Sequence, residues 1–194
     1  LYQRERTGEG QFIDLAQMES SVAMLGTDIV EYGVTGSTPG PNGNRARDFA
    51  PHGAYPCAGD DRWIAIAVRT DQEWRALATA LGHPTAAEDP RFATFEARKA
   101  HEDDLDALVA AWTAGHEAWE LTHLLQSAGV MAGPVEDLED MLVRDPHLST
   151  RHFERVTREG NTDPVTFTTH RQPSRLDGES PALRVSPLMG EHNE

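Results

Sequence analysis

Asn44, Arg45, Arg47 and His52 follow one another across a short stretch, with Gly53 directly behind them. Two guanidinium groups in so acidic a chain can pair with a carboxylate or a phosphate, or can serve as exposed or interface charges. His52 can donate a hydrogen bond to a ligand oxygen or cap a turn. Gly53 allows close approach of the backbone, and Pro51 holds Ala50 extended. Asn44, Arg45, His52 and Gly53 are therefore the candidate ligand-binding set, and no catalytic nucleophile is assigned in the chain.

Other reactive side chains have plainer readings. Cys57 is the single cysteine, which excludes a disulfide framework and a thiolate metal cluster. It sits between Pro56 and Ala58 with no basic neighbour to lower its pKa, so it reads as a small buried hydrophobe rather than a nucleophile. His116 and His123 have Glu120 where the second histidine of an H-E-x-x-H pattern would stand, so they read as surface residues and no metal site is assigned. Glu19 either faces a pocket or is a solvated helix residue.

The elements that must position these residues follow from pattern. LYQRERTG is the last turn of a helix, broken at Thr7, Gly8 and Gly10, and helix resumes from Gln11 to Gly33 with apolar residues near helical spacing. Residues 34–50, rich in Gly and Pro, form a linker. Gly53 to Cys57 and Trp63 to Val68 make a hairpin across Ala58–Asp61, and the second strand is apolar enough to be buried. A helix capped by Thr70 or Asp71 ends at Gly82, and Asp89-Pro90 opens a short one. His101–Ala114 and His116–Ala128 are amphipathic helices, the second with Trp119, Leu121, Leu124 and Leu125 inward. Val130–Pro134 completes a small sheet with the hairpin, a helix spans Val135–Val143, Asp145-Pro146 starts another, and FERVT and VTFTT are β-like around the turn residues Gly160 and Asn161.

Composition bounds the function. The chain has 194 residues and a net charge of -15, from 32 acidic and 17 basic residues, which argues against nucleic acid or an anionic membrane as partner. No apolar run approaches the roughly 20 residues that span a bilayer. With one cysteine and no signal peptide, the expected compartment is the cytoplasm.

Five stretches, in order, resemble the class III CoA-transferases, the family of formyl-CoA transferase and carnitine CoA-transferase. They are RERTGEGQFIDLAQME at 4–19, NGNRARDFAPHGAYPCAGDDRWIAIAV from residue 42, DPRF at 89–92, AGVMAGPVEDLEDMLVRDPHL at 128–148 and SPLMGEH at 186–192. Each is weak alone; together they cover nearly the whole chain.

The resemblance implies an α+β fold. A small domain (51–152), with a short antiparallel sheet and several helices, would be flanked by segments of a larger α/β, Rossmann-like domain: residues 1–33 before it, a linker at 34–50, and a return segment at 153–194. It also implies transfer of CoA between an acyl-CoA and a free carboxylic acid through a nucleophilic Asp, which family members carry just upstream of where this chain begins. The chain would then be the C-terminal half or subunit of the enzyme, supplying lid and scaffold and inactive alone. Its partners would be acyl-CoA, a carboxylic acid and the missing N-terminal half or a partner subunit, in a homodimer or heteromer. With Lys99 its single lysine, it would hold no coenzyme A by itself. Where formyl-CoA transferase has a glycine-rich closing loop this chain has FAPHG, so a mobile lid does not carry over intact. The alternatives are a non-catalytic assembly module and an acyl-CoA racemase of the same superfamily; Arg69, Thr70 and Asp71 stand where the racemase branch places a catalytic Glu, which favours the transferase.

Overall fold

The computed structural model describes residues 1–38, 40–158, 163–175, 177–181 and 183. The tail motif at 186–192 and the turn residues Gly160 and Asn161 lie outside them. The chain divides into two compact units, Leu1–Asn44 and Arg45–Glu194.

The first unit consists of helices α1 (Tyr2–Thr7), α2 (Gln17–Met24) and α3 (Gly26–Thr35). Gly8, in the left-handed region at φ 76°, closes α1, as its lack of a Cβ permits. The expected single helix from Gln11 to Gly33 is corrected on two counts. Helix begins only at Gln17, and Leu25 interrupts it beside Gly26, where glycine weakens helix propagation. Apolar residues along this unit are solvent-facing, Phe12 at 93% and Met24 at 85% exposure.

The second unit is α+β. Strands β1 (His52–Pro56), β2 (Trp63–Ala67) and β3 (Met131–Val135) form an antiparallel sheet in the order β1-β2-β3. Helix α4 (Asp71–Ala80) starts with a capping box in which Thr70 accepts from Glu73 N and the Glu73 carboxylate reaches back, satisfying donors that a helix start leaves open. Helix α5 (Phe95–Ala100), capped by Thr94, is followed by α6 (Glu102–Thr113) and α7 (Ala118–Ser127). Three acids in the first turn of α6 suit the helix dipole. One core joins Tyr55, Ile64 and Ile66 of the sheet to Trp74, Leu77, Leu105, Val109, Leu121 and Leu125 of the helices. Leu124, expected inward, is 43% exposed.

Two short helices depart from expectation. Asp89-Pro90 begins a turn in which Phe92 N bonds Asp89 O, and the helix starts at Phe95 after its cap. The helix expected over Val135–Val143 starts later and is shorter: β3 runs to Val135 and helical structure covers residues 138–144, as a π turn over Asp140–Arg144, where the buried Asp140 carboxylate gathers donors. Helix α8 (Pro146–Arg151), capped by Asp145, leads into the antiparallel pair β4 (Phe153–Arg158) and β5 (Val165–His170).

Candidate functional site

Residues 45–51 lead into the sheet and are held by side chains of α5 and α6. Arg45 donates to Asp106 through Nε and Nη2, at 3.2 and 2.8 Å, and to Asp103 at 2.6 Å. Lys99 Nζ donates to Ala46 O at 2.9 Å and to Glu102 at 2.6 Å. Arg98 Nε donates to Ala50 O at 2.7 Å. Ala50 N bonds Val68 O and Val68 N bonds Pro51 O, so residues 45–51 are fixed before β1 begins.

Arg45 is thus placed against two carboxylates. Its hydrogen bonds to Asp103 and then Asp106 hold its pKa above the ordinary guanidinium range. The Asp103 side chain is 93% exposed, so that pair adds little stability; the one to the half-buried Asp106 adds more. Asp106 also accepts from Tyr55 Oη at 2.8 Å. Burial first, and the Asp106 hydrogen bond second, push the Tyr55 phenol up and keep it neutral.

That locked tyrosine explains Gly53. A Cβ there would lie 3.1 Å from Tyr55 Oη and 3.2 Å from Cζ, closer than side-chain carbons normally pack. His52, next to it, rests on the Phe49 ring with centroids 5.4 Å apart. Asn44 closes the first unit and precedes Arg45 in the chain.

The sheet register shows what His52 shares a face with. Directly paired residues lie on one side of an antiparallel sheet. His52, Ala67 and Met131 therefore form one row, Ala54, Ala65 and Gly133 the next, and Pro56, Trp63 and Val135 the last. The opposite face carries Tyr55, Ile64 and Ile66 into the core. The expectation that the second strand is wholly buried is corrected here. Trp63 is 39% exposed and Ala65 is exposed, because β2 alternates between core and solvent. The outcome is an apolar face with small residues across its middle and His52 at one corner.

Backbone donors follow from the same register. Bonded pairs alternate along an antiparallel ladder, and Cys57 N bonds Arg62 O while Val68 N bonds Pro51 O. Gly53 is therefore a bonded partner of Ile66, and its N–H is spent within the sheet. The N–H groups of His52 and Ala54 point away from β2, toward the edge of the sheet.

At the far end, Asp140 accepts from Arg62 Nη1, from Asp137 N at 3.2 Å, from Arg144 Nη1 at 3.1 Å and from Trp119 Nε1 at 3.4 Å. Burial opposes its charge, but the Asp137 backbone bond and then Arg62 and Trp119 outweigh it, so the carboxyl stays below its ordinary pKa. This cluster escapes sequence reasoning because Asp137, Glu139 and Asp140 look alike in a chain rich in acids. Cys57 is buried, and burial raises its pKa, as suits an inert thiol. His116 and His123 are exposed. Among the described residues, no helix is long and apolar enough to cross a membrane.

Comparison with known proteins adds a family. The model of CoA-transferase family III matches residues 1–193. The chain is 40% identical over 151 residues to the succinyl-CoA–D-citramalate CoA-transferase of Chloroflexus aurantiacus, covering 78% of this chain and 37% of that protein. It is 27% identical over 195 residues to the same organism's succinyl-CoA–L-malate CoA-transferase beta subunit, covering 100% of this chain and 48% of that one. A crystal structure of a CAIB/BAIF family protein from Brucella suis superposes with a TM-score of 0.79 at 30% identity, over 98% of this chain and 48% of that chain. The chain thus spans about half the length, or less, of the relatives it matches.

Proposed function

Since the chain belongs to CoA-transferase family III, we propose that it supplies the cover and part of the acid-binding wall of an enzyme that moves CoA from an acyl-CoA to a free carboxylic acid. The observation that carries this reading is the clamped approach to β1, which presents His52 and the outward N–H of Ala54 at the edge of an open, small-residue floor. A rigid strand that displays donors at its edge suits a site where negative charge develops on oxygen.

The reaction implied by the family begins when a carboxylate attacks the thioester carbon and expels the CoA thiolate, leaving an anhydride. The thiolate then opens that anhydride to an enzyme-bound thioester and frees the donor acid. Attack by the acceptor acid and return of the thiolate complete the exchange. The nucleophilic Asp lies outside this chain in this reading. Such intermediates hydrolyse, so an apolar surface that excludes water has a clear use. The floor of Ala54, Ala65 and Gly133 offers no polar side chain to hold water there. Arg45, already engaged by Asp103 and Asp106, contributes by fixing the stretch that leads to His52. Asn44 is a second candidate donor on sequence grounds.

His52→Ala and Asn44→Ala in the complete enzyme test the assignment. His52→Ala is expected to lower turnover about tenfold or more, and turnover unchanged by both substitutions removes them from the site. The purified chain alone, mixed with acyl-CoA and acceptor acid, is expected to show no exchange until the remaining sequence is supplied.

A second reading, a non-catalytic assembly module, is favoured by the solvent-facing apolar residues of the first unit, Phe12, Met18 and Met24 among them. Binding of the remaining half with no exchange by the reconstituted pair would select it.

A further inference from the structure

Arg98 is fully buried; two of its nitrogens donate to main-chain carbonyls, and the third, Nη2, is buried without a hydrogen-bond partner. Nε donates to Ala50 O at 2.7 Å, and Nη1 donates to Phe92 O at 3.1 Å while pairing with Asp71 Oδ1 at 3.0 Å. The guanidinium also lies 5.9 Å from the centre of the Trp74 ring. One side chain on α5 thereby joins the end of the linker, the turn before α5 and the start of α4. Burying a guanidinium is costly, and its anionic partner is partly exposed, so an apolar side chain of equal volume would serve packing as well. The arginine accomplishes what no apolar residue can: it binds the Ala50 carbonyl, immediately before the Pro51-His52-Gly53 entry to β1.

We infer that Arg98 is a positioning residue, holding the Ala50 carbonyl so that His52 and the edge of β1 are presented in one fixed orientation. The inference rests on the reading of His52 as ligand-facing for its consequence in catalysis, but not for the positioning itself. Lys99 and Arg45 hold the linker earlier, at Ala46 and through Asp106. Arg98 acts on the last peptide before Pro51, where a shift passes directly to His52.

Arg98→Met and Arg98→Lys in the full chain test it. Met preserves much of the volume and donates nothing; Lys keeps the charge but lacks the planar fork that reaches two carbonyls at once. Amide exchange is followed at Ala50 and Val68, which bond across this junction, with Leu105 as a core reference. In Arg98→Met, exchange at Ala50 and Val68 is expected to rise about tenfold with Leu105 unchanged. In the complete enzyme kcat should fall about tenfold to a hundredfold with KM for acyl-CoA unchanged, and Lys should recover part of both losses. Asp71→Asn, which leaves the carbonyl bonds in place, should preserve protection.

A folded Arg98→Met with unchanged exchange at Ala50 and Val68 overturns the inference whatever its activity, as does equal loosening by Asp71→Asn. Should Arg98→Met fail to fold, Arg98→Lys decides on the same two amides. Loosened amides together with an unaffected His52→Ala enzyme would sink the functional reading and leave the positioning role standing.

Discussion

At one end of the three-stranded sheet a buried cation reaches main-chain carbonyls; at the other a buried anion collects cationic side chains. Arg98 binds Ala50 O and Phe92 O, whereas Asp140 takes Arg62, Arg144 and Trp119. Both charges are costly to bury, and the difference lies in what each one fixes. The arginine sets the path of the backbone into β1, so its loss displaces the candidate site. The aspartate ties together side chains from the start of β2, from α7 and from the π turn, so its loss loosens the frame while leaving β1 its own tethers.

The two ends should break differently. Asp140→Ala leaves Arg62 and Arg144 without their shared partner and should cost about 3 kcal/mol by urea unfolding, the low end for a broken buried pair because both arginines keep access to water. Arg98→Met should cost about 2 kcal/mol, mainly from the orphaned Ala50 and Phe92 carbonyls. Reversal of that order would mean that the arginine is the main structural tie and would blur the contrast.

Acid separates the ends further. The native pKa of Asp140 lies below its ordinary value, so its contribution is complete above the unfolded value, roughly 3.9, and is lost as pH falls through the native value. The gap in Tm between wild type and Asp140→Asn should therefore be wide at neutral pH and close as the solution is acidified. Burial lowers the Arg98 pKa, with Asp71 opposing, yet a guanidinium keeps its proton across this range, so Arg98→Met should show no such closing.

Gly53 gives a finer test of the site end. Gly53→Ala should cost about 1 to 2 kcal/mol as an overpacking substitution, since the added carbon would meet Tyr55 Oη at 3.1 Å. In a Tyr55→Phe background that nearest atom is gone, and the cost should fall. Equal cost in both backgrounds would show that the ring, whose Cζ would still lie 3.2 Å away, and not the hydroxyl is what requires a glycine there.

How much of this was legible in the sequence depended on whether local chemistry or tertiary pairing decided the outcome. The hairpin, the start of α4 at Thr70 and the cap at Asp145 each follow from nearby residues, and all appear; the pairing of β3 with β2, a distant contact, appears as well because a short apolar run needs a sheet to join. The continuous helix from Gln11 did not form, because apolar spacing says nothing of the break at Leu25-Gly26. His52 and Gly53 stood out in the sequence by the proline and glycine around them, but the packing against Tyr55 that gives Gly53 its structural reason did not. The small-residue floor was missed because WIAIA reads as uniformly apolar, and alanine looks the same on either face. Arg98 and Asp140 gave no signal at all. Their importance comes from burial, and burial of one arginine among many, or one aspartate beside Asp137 and Glu139, is set by where distant elements meet.

The smallest expected effect has the opposite sign and sits beside the Asp140 end. Glu136, just after β3, has a buried Oε2 with no hydrogen-bond partner. Burial first, then the nearby charge of Asp145, and finally the charge of Asp140, raise its pKa. Asp145 is held ionised by the N–H groups of Leu148 and His147 at the start of α8, with a smaller contribution from the charge of His147. A carboxyl whose native pKa is raised binds its proton more tightly when folded, so stability falls as pH climbs from the unfolded value, roughly 4.3, through the native one. Glu136→Gln should therefore raise Tm slightly at pH 7, with the gain vanishing in acid, where the wild-type side chain is protonated in both states. Asp140→Asn loses stability at neutral pH and Glu136→Gln gains it, although the two carboxylates belong to one acidic segment. A Glu136→Gln chain with no gain at pH 7 would mean that ionising Glu136 costs the folded state nothing, and that acid acts on this end of the sheet through Asp140 alone.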